Sequence, residues 1–264
     1  MKKTILITGS TDGIGKLAAI KLAKEGHEIY LHGRNADKLT NVITEVKAAS
    51  GNDHINGFVA DFSELEAVKN MATEVNNTLT KLDVLINNAG VFKSPVHKNK
   101  AGLDIRFTVN YFAPYVLANN LLPLLRKGTM PSIINLSSAA QDPVDVSALD
   151  GTINVSDRAS YGQSKLALTM WSFYLNRKLS DIGVVAVNPG SLLNTNMVKE
   201  AYGKFWSSAD KGADILYDLA TLENYEEAAG KYFDNDQGRF GQAHGDAYDA
   251  ELIESLINAT ENII

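Results

Sequence analysis

The stretch from Lys3 to Gly26 limits the possible folds more than any other part of this chain. Lys3 to Thr8 reads as a short buried strand, closed by Gly9-Ser10-Thr11-Asp12-Gly13-Ile14-Gly15. A helical pattern follows at once, with Ile14, Leu17, Ala18, Ile20 and Leu22 forming an apolar stripe that ends near Gly26. Glycine is common in any turn. Between a strand and a helix it carries more meaning, because the backbone can turn tightly and approach a pyrophosphate. The phosphate charge then meets the free N–H groups of the helix.

The same alternation recurs along the chain. Strands are predicted at Glu28 to His32, His54 to Ala60, Leu82 to Ile86, Ser132 to Leu136 and Gly183 to Val187. Helices are predicted from Asp37 to Ala49, Ser63 to Leu79, Gly102 to Arg126, from about Tyr161 onward, and from Ala209 to Leu222. Ser63 with Glu66 matches a capping box, and a short strand is expected around Lys231 to Phe233. With no repeat, low-complexity segment or linker, residues 1–264 read as one domain. The expected class is α/β, a Rossmann-like doubly wound parallel sheet with helices on both faces. In such sheets the ligand-facing loops lie at the carboxyl ends of the strands. The glycine loop, Asp61-Phe62, Asn87 to Gly90, Ser137-Ser138 and Pro189-Gly190 all fall there. The loop from Gln141 to Ala159 is long for a compact domain, the mark of a functional or mobile segment.

Composition removes several function classes. The net charge is −6, from 25 basic and 31 acidic residues, which argues against non-specific nucleic-acid binding but leaves room for a local phosphate pocket. The absence of cysteine excludes disulfides, thiolate nucleophiles and cysteine-ligated metals. The histidines (His27, His32, His54, His97, His244) show no ligand spacing, so no metal site is expected. The apolar run after Met1-Lys2-Lys3 is too short for a secretion signal, and no run of about 18 apolar residues exists to span a membrane. A cytoplasmic protein with no membrane span is expected.

Tyr161 and Lys165 stand four apart at the head of a helical pattern and therefore share one face. A cation beside a phenol stabilises the phenolate, so the pair suits acid–base work, with Lys165 expected to lower the Tyr161 pKa. The competing reading of the isolated pair is a solvated helix face. After the second strand the chain offers Gly33-Arg34 where an acidic residue would take the ribose hydroxyls of NAD. An arginine suits a 2′-phosphate, so NADP is favoured, with NAD possible. Lys16 would assist, while Asp12 in the loop argues the other way. Asn110, between Val109 and Tyr111, is a polar amide in an apolar setting and needs hydrogen-bond partners.

Together these residues resemble the short-chain dehydrogenase/reductase family in its single-domain form. The matches are Thr8-Gly9-X-X-X-Gly13-X-Gly15, Asp61, Asn87-Asn88-Ala89-Gly90, Asn110, Ser138, Tyr161-X-X-X-Lys165 and Asn188-Pro189-Gly190. They follow the family's order over roughly residues 3 to 235. Tyr161-Gly-Gln-Ser-Lys-Leu-Ala, the long interval from Ser138 to Tyr161, and Gly230-Lys231-Tyr232-Phe233 resemble the retinol-dehydrogenase-like branch, whose members act on diverse lipophilic alcohols and carbonyls. Two features depart from the commoner pattern: that long interval, and Thr195, which stands one step later than the family's threonine.

The resemblance implies roles. Tyr161 exchanges a proton with the substrate oxygen, Lys165 also bonds the nicotinamide ribose, and Ser138 (with Ser137 as competitor) holds the substrate oxygen. Asn110 holds a water that links Lys165 to solvent. Cofactor contacts are implied for residues 9–15, Arg34, Asp61, Phe62, Asn88, Ala89, Gly90, Pro189, Gly190 and Thr195. A lid of about residues 191–225 is expected over a small alcohol or carbonyl, and Leu192, Leu193, Met197, Tyr202, Phe205 and Trp206 favour a hydrophobic one. Exposed helix faces leave a homodimer open. Two other classes compete: a redox-sensing protein that keeps the nucleotide pocket without catalysis, and a sugar-nucleotide epimerase on a related fold.

Overall fold

In the computed structural model, which describes residues 1–264, one sheet runs through the molecule. Its strands are β1 (Thr4–Ile7), β2 (Glu28–Gly33), β3 (Ile55–Val59), β4 (Val84–Asn87), β5 (Ser132–Leu136), β6 (Gly183–Asn188), β7 (Tyr232–Asp234) and β8 (Arg239–Gly241). Their spatial order is β3-β2-β1-β4-β5-β6-β7-β8. All neighbours are parallel except β7 and β8. The order reverses between β1 and β4, and that switch point opens a crevice at the strands' carboxyl ends.

The central strands are buried along their whole length, as expected when helices cover both faces. Side chains alternate across the sheet. Ile5 and Ile7 pack with α1 (Gly13–Lys24), α2 (Ala36–Ser50) and α8 (Ala209–Thr221), while Leu6 and Leu85 face α3 (Leu65–Thr78), α5 (Ala113–Leu125) and α6 (Asp157–Lys178). The remaining helices are α4 (Ile105–Phe107), α7 (Asn196–Tyr202) and α9 (Ala250–Glu261). Helix α9 packs beside α6, and its Thr260 hydroxyl pairs with the Tyr111 hydroxyl at 2.7 Å.

Several expectations are corrected. Ser63 does not cap α3: Glu64 holds that position without a side-chain bond, and Asp61 Oδ1 takes the Ser63 amide instead, at 3.0 Å. The helix predicted from Gly102 begins at Ile105, and between α4 and α5 it widens into a π-helical segment, Thr108–Phe112. Helix α6 starts four residues before Tyr161, with Ser156 accepting from Ala159 N at 3.3 Å. The long 141–159 loop contains a short 3₁₀ turn, Val146–Ala148, and is pinned at several points. Gln163 Oε1 accepts from Asp145 N at 3.2 Å and Lys98 Nζ donates to Gly151 O at 2.7 Å. Strand β8 was not foreseen, because its three residues Arg-Phe-Gly carry no periodic signal. No helix is long and apolar enough to cross a membrane.

Candidate active site

The glycine loop is held from three directions. Asn88 Nδ2 donates to Thr8 O at 2.7 Å and to Gly9 O at 3.0 Å, while the Thr8 hydroxyl accepts the amides of Asn88 and Ala89, each at 3.0 Å. Ser10 Oγ donates to Ile7 O and accepts from His32 N. Gly9 donates its amide to His32 Nδ1 at 3.0 Å. Gly9 and Gly13 lie at φ 63° and 54°, in the left-handed region that suits glycine. A Cβ on Gly9 would come within 2.7 Å of Ala89 Cα. Asn88, Ala89 and Ser10 therefore shape the loop from within.

What the loop leaves open is a cradle for an anion. Asp12 caps only the Gly13 amide of α1, and the amides of Ile14 and Gly15 find no acceptor within the chain. Asp12 is itself engaged by Lys38 Nζ at 3.1 Å and Asn196 Nδ2 at 2.7 Å; against the upward push of partial burial, the Gly13 amide first, then Lys38 and Asn196, hold its carboxyl below the usual range. The charge that argued against a 2′-phosphate is thus partly compensated. Lys16 is turned to Glu45 at 2.8 Å and does not serve the loop. Arg34 is exposed and makes no ion pair within the chain. Asp61 is exposed, whereas the Phe62 ring is buried and stacks on His32 at 4.0 Å.

The second cluster lies where β4, β5 and α6 converge. Lys165 is buried and its Nζ donates to Leu136 O at 2.7 Å, 5.8 Å from the centre of the Tyr161 ring. Burial lowers its pKa to about 8. Tyr161 differs from the expectation. Its pKa is raised, by burial first, with the Ser138 hydroxyl acting against this and the neighbouring Tyr202 phenol adding to it. Lys165 does not stabilise the phenolate here, because its ammonium is turned to the Leu136 carbonyl. Tyr161 is therefore set as a protonated phenol.

Asn110 Oδ1 accepts from Val91 N at 2.8 Å, while its Nδ2 donates to Val91 O at 3.0 Å and to Ser164 Oγ at 2.9 Å. Ser164 Oγ in turn donates to Tyr161 O at 2.7 Å. A Cβ on Gly90 would lie 3.4 Å from Asn110 Oδ1 and 3.5 Å from Lys165 Nζ, so both groups border one small space. Ser137 is buried and committed to Thr169 at 2.6 Å, while Ser138 is half-buried beside Tyr161. Of the two, Ser138 is the hydroxyl that lies beside the Tyr161 phenol. Asn87 joins Asn135 and Ser172 in a buried chain of bonds from β4 to α6, away from the crevice.

Pro189-Gly190 ends β6 and is braced by the β7–β8 turn, where Asn235 Nδ2 donates to Pro189 O at 2.8 Å and Asp236 accepts the Ser191 amide at 2.8 Å. Thr195 caps α7, accepting from Val198 N at 3.3 Å, and its methyl faces Gly13. Three further residues escaped the sequence reading. Phe92 packs against Tyr161 and Tyr202 in tilted pairs, with ring centres 4.7 Å and 5.7 Å apart. Tyr232 donates its hydroxyl to Ser138 O at 3.0 Å. Arg106, fully buried, donates to Phe92 O at 3.1 Å and pairs with Asp104 and Asp157, tying the loop after β4 to the head of α6. A basic residue two positions beyond an aspartate in an apolar run was the available signal for Arg106. Tyr232 stood within the Gly230-Lys231-Tyr232-Phe233 match without a role, and nothing marked Phe92.

The family model of short chain dehydrogenases matches residues 3–204. The chain belongs to the short-chain dehydrogenase family. Within it, human retinol dehydrogenase 13 is 31% identical over 252 residues, covering 88% of this chain and 76% of that protein, which supports the retinol-dehydrogenase-like branch. Among solved structures, a short-chain dehydrogenase from Shigella flexneri 2a, complexed with NADP, is 26% identical. It covers 88% of this chain and 96% of its own, with a TM-score of 0.71. An uncharacterised protein from Mycobacterium paratuberculosis, at 24% identity, shares the fold over 99% of this chain and 92% of its own, with a TM-score of 0.80. In this family member the glycine loop follows β1 at the switch point, while Asn110 and Lys165 meet beside Gly90 and Ser138 and Lys165 flank Tyr161.

Proposed function

We propose that this short-chain dehydrogenase is an NADP-preferring enzyme that interconverts an alcohol and its carbonyl compound, with a hydrophobic substrate and Tyr161 as general acid and base. The observation that carries this reading is the placement of the Tyr161 phenol beside the Ser138 hydroxyl, with Lys165 Nζ 5.8 Å from the centre of the Tyr161 ring. The dinucleotide, when bound, supplies or accepts the hydride. In reduction Ser138 Oγ donates a hydrogen bond to the carbonyl oxygen, polarising it, and Tyr161 Oη gives its proton to that oxygen. As the phenolate forms, the Lys165 ammonium swings toward it from Leu136 O and stabilises the charge. Asn110, fixed by Val91 and Ser164, borders the space through which a water would return the proton. Alcohol oxidation runs the same transfers backward.

The donors at the start of α1 fit a pyrophosphate, and the unpaired Arg34 fits a 2′-phosphate, in keeping with the NADP held by the Shigella relative. The Asp61 carboxylate and the backbone of Phe62 border the adenine side. Gly90, Pro189-Gly190 and Thr195 border the nicotinamide side. Residues 191–225 serve as the lid of a single dinucleotide-binding domain, with Tyr202 and Phe92 as the apolar wall of the substrate space. Replacing Tyr161 with phenylalanine removes the proton while keeping the ring, so turnover should fall by at least about 10³-fold. NADPH binding should stay within twofold of the parent chain. Turnover retained in Tyr161→Phe with any accepted carbonyl would rule the assignment out.

A further inference from the structure

His32, the last residue but one of β2, lies behind the glycine loop, is 3% exposed, and belongs to none of the roles above. Its ring bridges two loops that border the crevice. Nδ1 faces the Gly9 amide at 3.0 Å, and Nε2 faces Ala60 O at 3.0 Å. A backbone N–H can only donate and a carbonyl can only accept, so the two contacts admit one tautomer: Nδ1 bare and Nε2 carrying the hydrogen. The ring is clamped by the stacked Phe62, and the His32 backbone exchanges two further bonds with Ser10. One imidazole thus fixes the first glycine of the loop against the end of β3, where Asp61 begins the opposite wall.

We propose that neutral, Nε2-protonated His32 is the positioning residue of the dinucleotide pocket, holding the glycine loop at the spacing from β3 that the cofactor needs. This rests on reading that crevice as the dinucleotide site. Protonation of Nδ1 would turn an acceptor into a donor facing another donor and would release Gly9. Burial opposes that cation and lowers the pKa to about 4, with the Ala60 carbonyl and the Asp61 carboxylate pulling the other way. Asp61 is the charged group acting on the ring. Gly9, Ser10, Ala60 and Phe62, which pack against it, carry no titratable side chain.

The test joins a spectroscopic and a binding readout on the full chain. Nitrogen NMR of the cofactor-free protein should show His32 as the Nε2–H tautomer from pH 8 to pH 5.5, without titrating. Calorimetry with NADP⁺ should show a Kd raised about tenfold in His32→Phe, which keeps an aromatic ring but strands the Gly9 amide. His32→Asn, whose amide oxygen can replace Nδ1, should recover to within about threefold. Below pH 5.5 the Kd of the parent chain should rise while that of His32→Asn stays level, and in steady state the His32→Phe loss should fall on the cofactor KM rather than on kcat. A His32 signal that titrates near pH 6.5 would overturn the proposal. So would a Kd in His32→Phe within twofold of the parent, or, if that variant does not fold, identical pH profiles for His32→Asn and the parent chain. A parent chain that binds no NADP⁺ would defeat the dinucleotide reading itself.

Discussion

On the glycine-loop side of the crevice, Thr8, Gly9, Ser10, His32 and Asn88 bond one another, and nearly every polar atom of the group is used. Across the crevice, α7 contains no buried residue, and Tyr202, Phe205 and Trp206 are largely exposed, the last two under Lys199 and Lys204. Asp12 joins the two sides by accepting from Asn196. The difference follows from what each side must recognise. A dinucleotide has one fixed covalent constitution, and a frame already bonded in place receives it without an ordering cost of its own. A substrate wall of loosely seated side chains can be reshaped without disturbing that frame. Changes at the loop should therefore act on stability and cofactor affinity, and changes at the wall on substrate affinity alone.

The strongest way to break this contrast is Gly9→Ala. The new Cβ meets Ala89 backbone and must adopt φ 63°, so we expect about 2–4 kcal/mol of lost stability by urea unfolding. A loss below about 0.5 kcal/mol would mean that the loop is as yielding as the wall. Next in size is Arg34→Ala, expected to weaken NADPH about 10- to 100-fold while leaving NADH nearly unchanged, by fluorescence titration. Equal losses for both nucleotides would place Arg34 elsewhere than on the 2′-phosphate.

A pH profile sharpens the contrast from the catalytic side. Lys165 is charged below its pKa of about 8 and neutral above it. Carbonyl reduction needs the ammonium and the protonated phenol, so kcat/KM should be level at neutral pH and fall by up to about tenfold per pH unit above 8. A profile that climbs through that range would remove Lys165 from the proton transfer. The smallest effect belongs to the wall: Tyr202→Ala should raise KM for a bulky apolar carbonyl about fivefold and leave NADPH affinity unchanged. If NADPH affinity fell as well, the two sides would be one unit.

Much of this was legible beforehand. Strands buried on both faces announce themselves as apolar runs, which is why β1, β4, β5 and β6 lie close to where they were expected. The convergence of Ser138, Tyr161 and Lys165 followed from strand-end placement and the spacing of four. Other features were hidden because they depend on contacts distant in sequence. Nothing local says that Asn88 serves the loop from within, that Lys16 prefers Glu45, or that burial would raise the Tyr161 pKa against the pull expected of Lys165. His32 looked like one of five scattered histidines. Its importance rests on Gly9 and Ala60, 23 and 28 positions away in sequence.

The widened turn at Thr108–Phe112 has a consequence for how such a site can be lost. A π segment amounts to one surplus residue in an otherwise ordinary helix. The side chains on either side of it are out of phase, and Asn110, which bonds Val91 and Ser164, sits at its centre. Excising a single codon there is expected to let the helix heal into regular winding and to rotate Asn110 away from Val91 and Ser164.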